Sequence, residues 1–240
     1  MSSSKILFLA HSSPTEYVFK DTCKYLQKFE DVEIKSVFTK SDSPPFPKSV
    51  KDIDLGFMAK FGHMYESPFF NEMSDAEKHG YKAAVVASWG DPAILKASKE
   101  LRFPVIGLAW ANYHKASLLY KKFSILHTHL PELMGFNKMQ VDMYGFSENL
   151  ASSEHLDVDV YEWLNKKIKP DYKSLAEKSL PVVEKCAEKG AKALVIACGS
   201  PELSEFAPVL DEEIKSRFGI RVMTPLDTMI ETAREKVAHI

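Results

Sequence analysis

Short apolar runs bounded by turn residues recur along the chain: Ile6 to Ala10, Val32 to Phe38, Ala83 to Ala87, Val105 to Leu108, Phe123 to Leu126, Ala193 to Ala197 and Arg221 to Met223. Two of them, Ala84-Val85-Val86-Ala87 and Leu194-Val195-Ile196-Ala197, are apolar at every position. That is the pattern of a central parallel strand covered on both faces. Amphipathic stretches lie between the runs, among them Asp171 to Glu188 and Ser204 to Arg217, with Gly190 and Gly219 at the expected C-terminal stops. The alternation predicts an α/β fold. Two stretches interrupt it. Ser41 to Ser67, holding Pro44, Pro45, Pro47 and Gly56, reads as a long loop with one short helix, and Val141 to Asp159 reads as irregular.

The pattern also repeats within the chain. Ala84-Val85-Val86-Ala87-Ser88 ends a strand, Asp91-Pro92 opens a helix and Phe103-Pro104-Val105-Ile106 leads into the next strand. Leu194-Val195-Ile196-Ala197-Cys198, Pro201-Glu202 and Ile220-Arg221-Val222-Met223 follow the same course. Lys5-Ile6-Leu7-Phe8-Leu9 with His11 beyond it parallels Lys122-Phe123-Ser124-Ile125-Leu126 with His127 beyond it. Two similar α/β halves are expected, residues 1–116 and 117–240, with the C-terminal helix, about 225–240, free to pack back on the first half. Ser88 and Cys198 then hold equivalent places at C-terminal strand ends, where open α/β sheets bind ligands.

Composition narrows the function. A content of 45% hydrophobic and 27% charged residues is that of a globular protein rather than a disordered one. A net charge of -2 with dispersed lysines gives no electrostatic footprint for nucleic acid. The opening run Ile6 to Ala10 is too short for a signal sequence or a membrane span, so a cytoplasmic location without membrane association is expected. Cys23, Cys186 and Cys198 are odd in number and widely spaced, unlike a disulfide framework or a four-ligand zinc site. No phosphate-loop, dinucleotide or HExxH motif occurs.

Ala87-Ser88-Trp89-Gly90-Asp91-Pro92 resembles the Ala-Cys-Phe-Gly-Asp-Pro element of the hydantoin racemases, within the aspartate/glutamate/hydantoin racemase superfamily. Pro104 to Ala109 and Lys122 to Ile125 resemble that family's next two strands, and Ala193 to Gly199 its second cysteine element; the likeness continues more weakly to Pro225-Leu226-Asp227. The resemblance implies two Rossmann-like parallel-sheet halves related by a pseudo-twofold, with the active site in the cleft between them. It implies proton abstraction and return by two cysteines, with neither metal nor organic cofactor. The sequence departs from this pattern at two places. Ser88 stands where the family has its first cysteine, and Ala10-His11-Ser12-Ser13-Pro14-Thr15 replaces the usual Asn-Pro-Asn loop. A symmetric two-thiol reaction on hydantoin therefore does not transfer directly.

Cys198 is expected to be the principal acid/base, its thiolate favoured by a helix N-terminus. The competing reading is a plain buried thiol. Ser88, an unassisted hydroxyl, is too weak an acid to replace a thiolate; it is expected to bind substrate or relay a proton, or else to cap the helix near Pro92. His11 is expected to line the site, with His127 as a weaker candidate; a histidine of near-neutral pKa can lower the thiol's pKa or supply a proton. Ser12, Ser13 and Thr128 are loop hydroxyls suited to a carboxylate, Trp89 a pocket wall and Gly199 part of the cysteine element. Asp91 is expected to cap a helix rather than do chemistry.

The leading expectation is a cofactor-independent racemase or isomerase acting beside a carboxylate or amide carbonyl of a small amino-acid- or hydantoin-like substrate. The rivals are a single-cysteine decarboxylase of the arylmalonate type and a non-catalytic protein that binds a small carboxylate. A small-molecule partner is expected, and a homo-oligomer is compatible with the sequence.

Overall fold

The computed structural model describes residues 5–11, 17–37, 55–128, 134–167 and 169–239. They divide into two compact units. The first draws on Met1–Phe46, Gly56–Ala111 and Met229–Ile240, the second on Pro47–Leu55 and Asn112–Thr228.

The first unit is built from β1 (Ile6–Ala10), α1 (Tyr17–Leu26), β2 (Val32–Ser36), α2 (Leu55–Lys78), β3 (Ala83–Val86), α3 (Ile94–Glu100) and β4 (Val105–Gly107), which runs straight into α4 (Leu108–Tyr120). Its sheet is parallel in the order β2-β1-β3-β4. Every residue of β1 and β3 is buried, as their unbroken apolar sequences require. Successive side chains in a strand point to opposite faces, so Leu7 and Leu9 of β1 share one face with Ala84 and Val86 of β3. Against that face pack Tyr65, Phe69, Met73 and Ala76 of α2. Phe69 and Met73 are 0% exposed, and each such burial contributes about 1.5–3 kcal/mol.

The stretch read as a loop with one short helix proves, from Leu55 onward, to be the front of a 24-residue helix; residues 41–54 lie outside the described residues. Gly56, Gly62 and the internal Pro68 weaken its intrinsic helix preference. What holds it is the apolar series at 65, 69, 73 and 76, whose helical spacing is satisfied only by docking on the sheet.

The second unit contains β5 (Phe123–His127), α5 (Met134–Met143), β6 (Leu150–His155), α6 (Val160–Lys166), α7 (Tyr172–Glu188), β7 (Ala193–Ala197), α8 (Pro201–Phe218), β8 (Arg221–Met223) and the start of α9 (Pro225–Ala238). Its sheet is parallel in the order β6-β5-β7-β8, the same sequence of places as in the first unit. The predicted α/β class and its duplicated strand pattern are thus both present.

The stretch Val141 to Asp159, expected to be irregular, contains β6. Leu-Ala-Ser-Ser-Glu-His carries little apolar signal because β6 is an edge strand, held through the backbone ladder it forms with β5. Its inward hydroxyl is paired: Ser152 Oγ lies 2.8 Å from Ser124 Oγ and 3.9 Å from Cys186 Sγ.

Helix ends follow local chemistry. Asp171 accepts from the N–H groups of Lys173 and Ser174 to start α7, and Ser200 accepts from Leu203 N–H with Pro201 behind it to start α8. Gly219, at φ 65°, closes α8 in the left-handed conformation. The buried Asp211 then accepts from the Arg221 guanidinium at 2.9 Å and from Val222 N–H at 2.8 Å, tying β8 to α8. Arg234 of α9 pairs with Asp31 within the first unit.

Candidate active site

In the second unit, the candidate residues gather at the C-terminal edge of the sheet. β5 and β7 are paired with His127 opposite Ala197, so Thr128 and Cys198 follow at the ends of adjacent strands. Thr128 is 0% exposed, and its hydroxyl oxygen has no hydrogen-bond partner among the described residues. Such a group buried without a partner is costly unless something else satisfies it. On the other side of β5, His127 stands opposite His155, their rings 5.4 Å apart.

Cys198 is half-buried and lies just ahead of α8, as expected. Its ionisation runs against expectation. Burial pushes the thiol above its ordinary value, and the nearby Glu202 carboxylate adds to the rise; the N–H groups of Ser200 and Gly199 and the Ser200 hydroxyl pull the other way without prevailing. The helix start does supply donors, but desolvation of the anion outweighs them. Burial therefore disfavours the Cys198 thiolate, and the same desolvation makes that thiolate a stronger base once formed.

In the first unit, Ala87 N–H donates to Leu9 C=O at 3.0 Å, extending the β1–β3 ladder to its C-terminal end, beyond which stand His11 and Ser88. Ser88 and Trp89 are buried, at 4% and 7% exposure. His11 is half-buried with its ring edge-on to Tyr65, and burial lowers its pKa from 6.5 to about 4. Burial thus favours the neutral imidazole, which suits a hydrogen-bonding group lining the site better than a cation that lowers the thiol's pKa. Ser12 and Ser13 lie outside the described residues.

The helix expected to open at Asp91-Pro92 starts later, at Ile94. Its N-cap is Ala93, at φ 65° and without a side-chain cap, so neither Ser88 nor Asp91 caps it. Asp91 instead reaches across to α4 and accepts from Ala109 N–H at 3.0 Å and Trp110 N–H at 2.9 Å. Asp91 (φ 46°) and Ala93 both have left-handed backbones, a conformation that costs a residue with a side chain about 1–2 kcal/mol. The turn carrying Ser88 is thus strained and held by contacts outside itself.

Ser200, Glu202, Tyr65 and His155 were missed by sequence reasoning. Ser200-Pro201-Glu202 carries a readable helix-start signature, Ser at the cap, Pro at the first position and an acid in the first turn. Tyr65 and His155 have no such signal, since strand and helix docking alone bring them to their neighbours. Among the described residues no group of three or more His, Cys, Asp or Glu side chains could hold a metal ion. No helix among them is long and apolar enough to cross a membrane.

The duplicated parallel α/β fold agrees with comparison to known proteins. The family model described as Asp/Glu/Hydantoin racemase matches residues 15–233. The chain belongs to this family. It is 28% identical over 143 residues to a hydantoin racemase of Pseudomonas sp. (strain NS671), covering 60% of this chain and 55% of that one. To a hydantoin racemase of Paenarthrobacter aurescens it is 29% identical over 157 residues, covering 65% of this chain and 61% of that one. The chain thus spans little more than half the length of these curated relatives. The solved structure of allantoin racemase from Klebsiella pneumoniae superposes with a TM-score of 0.69 at 20% identity, covering 99% of this chain and 89% of that one.

Proposed function

We propose that this chain is a racemase that moves the proton on a carbon beside a carboxylate or amide carbonyl, on a small hydantoin- or amino-acid-like substrate, with side chains alone and no cofactor. Cys198 is the base and acid of the reaction. The substrate C–H bond breaks as S–H forms, and the electron pair passes onto the carbonyl oxygen as an enolate. A solvent proton relayed through the Ser88 hydroxyl to the other face of the carbon completes inversion, and Cys198 releases its proton to solvent to restore the thiolate. Hydrogen-bond donors aimed at the enolate lower the barrier most, because they are oriented before the charge develops. Thr128 and the Gly199 N–H are assigned to the substrate's polar end, with Ser12 and Ser13. Ser88 contributes a hydroxyl that binds or relays, Trp89 shapes the pocket wall, and His11 takes part as a neutral hydrogen-bonding group.

The observation that supports this reading most is the placement, just past adjacent strand ends of one sheet, of a half-buried thiol and a buried hydroxyl with no hydrogen-bond partner among the described residues. The test is proton NMR in D2O with hydantoins, amino acids, allantoin and substituted malonates, before and after dialysis against a chelator. Exchange of the α-proton without loss of mass is expected, faster for one enantiomer, because a hydroxyl at position 88 is no base. Ser88→Cys should raise racemisation relative to exchange, and Cys198→Ser should abolish both. The serine at 88 leaves one strand-end thiol, which also favours a second reading, a decarboxylase whose lone cysteine protonates an enolate; release of CO2 from a malonate would establish it instead. A carboxylate bound tightly with no exchange and no CO2 would refute catalysis altogether.

A further inference from the structure

Within the first unit, one buried carboxylate joins the turn that carries Ser88 to the neighbouring strand-to-helix junction. Asp91 N–H donates to Ser88 C=O at 3.0 Å, closing a four-residue turn, and Asp91 C=O accepts from Ile94 N–H at 3.3 Å. Its side chain leaves the turn and meets α4, where Ala109 and Trp110 present N–H groups not used inside the helix. The carboxylate lies directly on Gly107, the last residue of β4: a Cβ built there would fall 2.5 and 2.6 Å from the two carboxylate oxygens. Only glycine leaves that space. β4 is in turn paired with β3, with Gly107 opposite Val86, two residues ahead of Ser88. Asp91 is 6% exposed.

The second unit solves the same problem differently. There Ser204, inside α8, accepts from Leu226 N–H at 3.2 Å at the start of α9, a single bond to a neutral hydroxyl where the first unit has two bonds to a carboxylate that precedes its helix. The stronger, two-point hold falls on the unit whose turn contains two left-handed non-glycine residues.

From this geometry we propose that Asp91 is a positioning residue for the proton-transfer reaction: by clamping the Ser88–Asp91 turn to the β4–α4 junction, through the space that Gly107 leaves open, it sets where the Ser88 hydroxyl and the Trp89 ring stand. It does not touch substrate. The functional half of this inference rests on the racemase reading above; the clamp itself does not, and the two are read separately.

The clamp is tested in the Ser88→Cys protein by iodoacetamide, with the modification rate at position 88 compared by peptide mass spectrometry with the rate at Cys198. Asp91→Asn keeps the shape but presents an amide N–H to one of the two α4 donors, so the loosened turn should raise the 88-to-198 ratio by about threefold or more. Gly107→Ala should do the same by evicting the carboxylate. In an Asp91→Ala background, Gly107→Ala should change nothing further, since the space is then open. Simple loss of stability would instead raise labelling at all cysteines, the fully buried Cys186 included. In the otherwise wild-type chain, Asp91→Asn should lower kcat by about tenfold or more while KM moves less than threefold. An unchanged ratio in folded Asp91→Asn, or an equal effect of Gly107→Ala with and without Asp91, overturns the clamp. An altered ratio with unchanged kcat on a substrate the wild type racemises overturns the positioning role, and absence of any turnover by the wild type overturns the racemase reading while the labelling ratio still decides the clamp.

Discussion

His11 gives the sharpest link between burial and pH. Its neutral ring is favoured in the folded protein, where burial lowers the pKa to about 4, whereas the unfolded chain takes up the same proton near 6.5. Unfolding therefore binds a proton in the interval between them. The contribution to stability is present in full above about pH 6.5 and is lost as pH falls to about 4. At about 1.4 kcal/mol per decade of proton affinity, the ceiling is about 3 kcal/mol. The ring is only half-buried, so part of that is screened and a loss of about 1–2 kcal/mol is the expected size. His11→Gln removes the titration and keeps a polar, hydrogen-bonding side chain. Urea unfolding at several pH values from about 7.5 down to about 4.5 should show a shallower decline for His11→Gln than for the wild type, by that amount. Proton NMR should also find the His11 ring neutral at pH 6. Equal declines in the two proteins, or a ring that titrates near its ordinary value, would refute the argument and restore His11 as a candidate proton donor.

Cys198 should alkylate at a rate that keeps rising with pH through and beyond about 9, because burial holds its thiol up; a plateau near neutrality would show that the helix-start donors dominate after all. Cys186, 0% exposed, should resist alkylation in the folded protein. Asp211→Ala should cost about 2–3 kcal/mol and lower Tm by about 4–12 °C, since it strips Val222 N–H and the Arg221 guanidinium of their shared acceptor; Asp211→Asn should cost less, and a change in Tm within error for Asp211→Ala would refute the anchoring role. Ser204→Ala should cost about 1 kcal/mol through the lost bond to Leu226 N–H, read from the same melts.

By itself, the sequence determined the α/β class, seven of the eight described strands, the duplication of the strand pattern and the location of Ser88 and Cys198 at strand ends. Those features depend on local periodicity and on buried strands being apolar throughout, which a linear pattern records. β6 escaped because an edge strand is held by backbone bonds to its neighbour and needs no apolar sequence. α2 was cut short because its glycines and Pro68 speak against a helix locally, while the sheet that stabilises it lies elsewhere in the chain. Only tertiary structure decided the ionisation of the site. A helix start next to Cys198 argued for a lowered thiol pKa, but desolvation, which no sequence motif encodes, reversed the sign, and it likewise lowered the affinity of His11 for a proton. The target of Asp91 was also beyond local reading: it caps a helix, as its residue type suggested, but one that begins 17 residues downstream of it, through contacts made at positions 109 and 110 and across a glycine at 107.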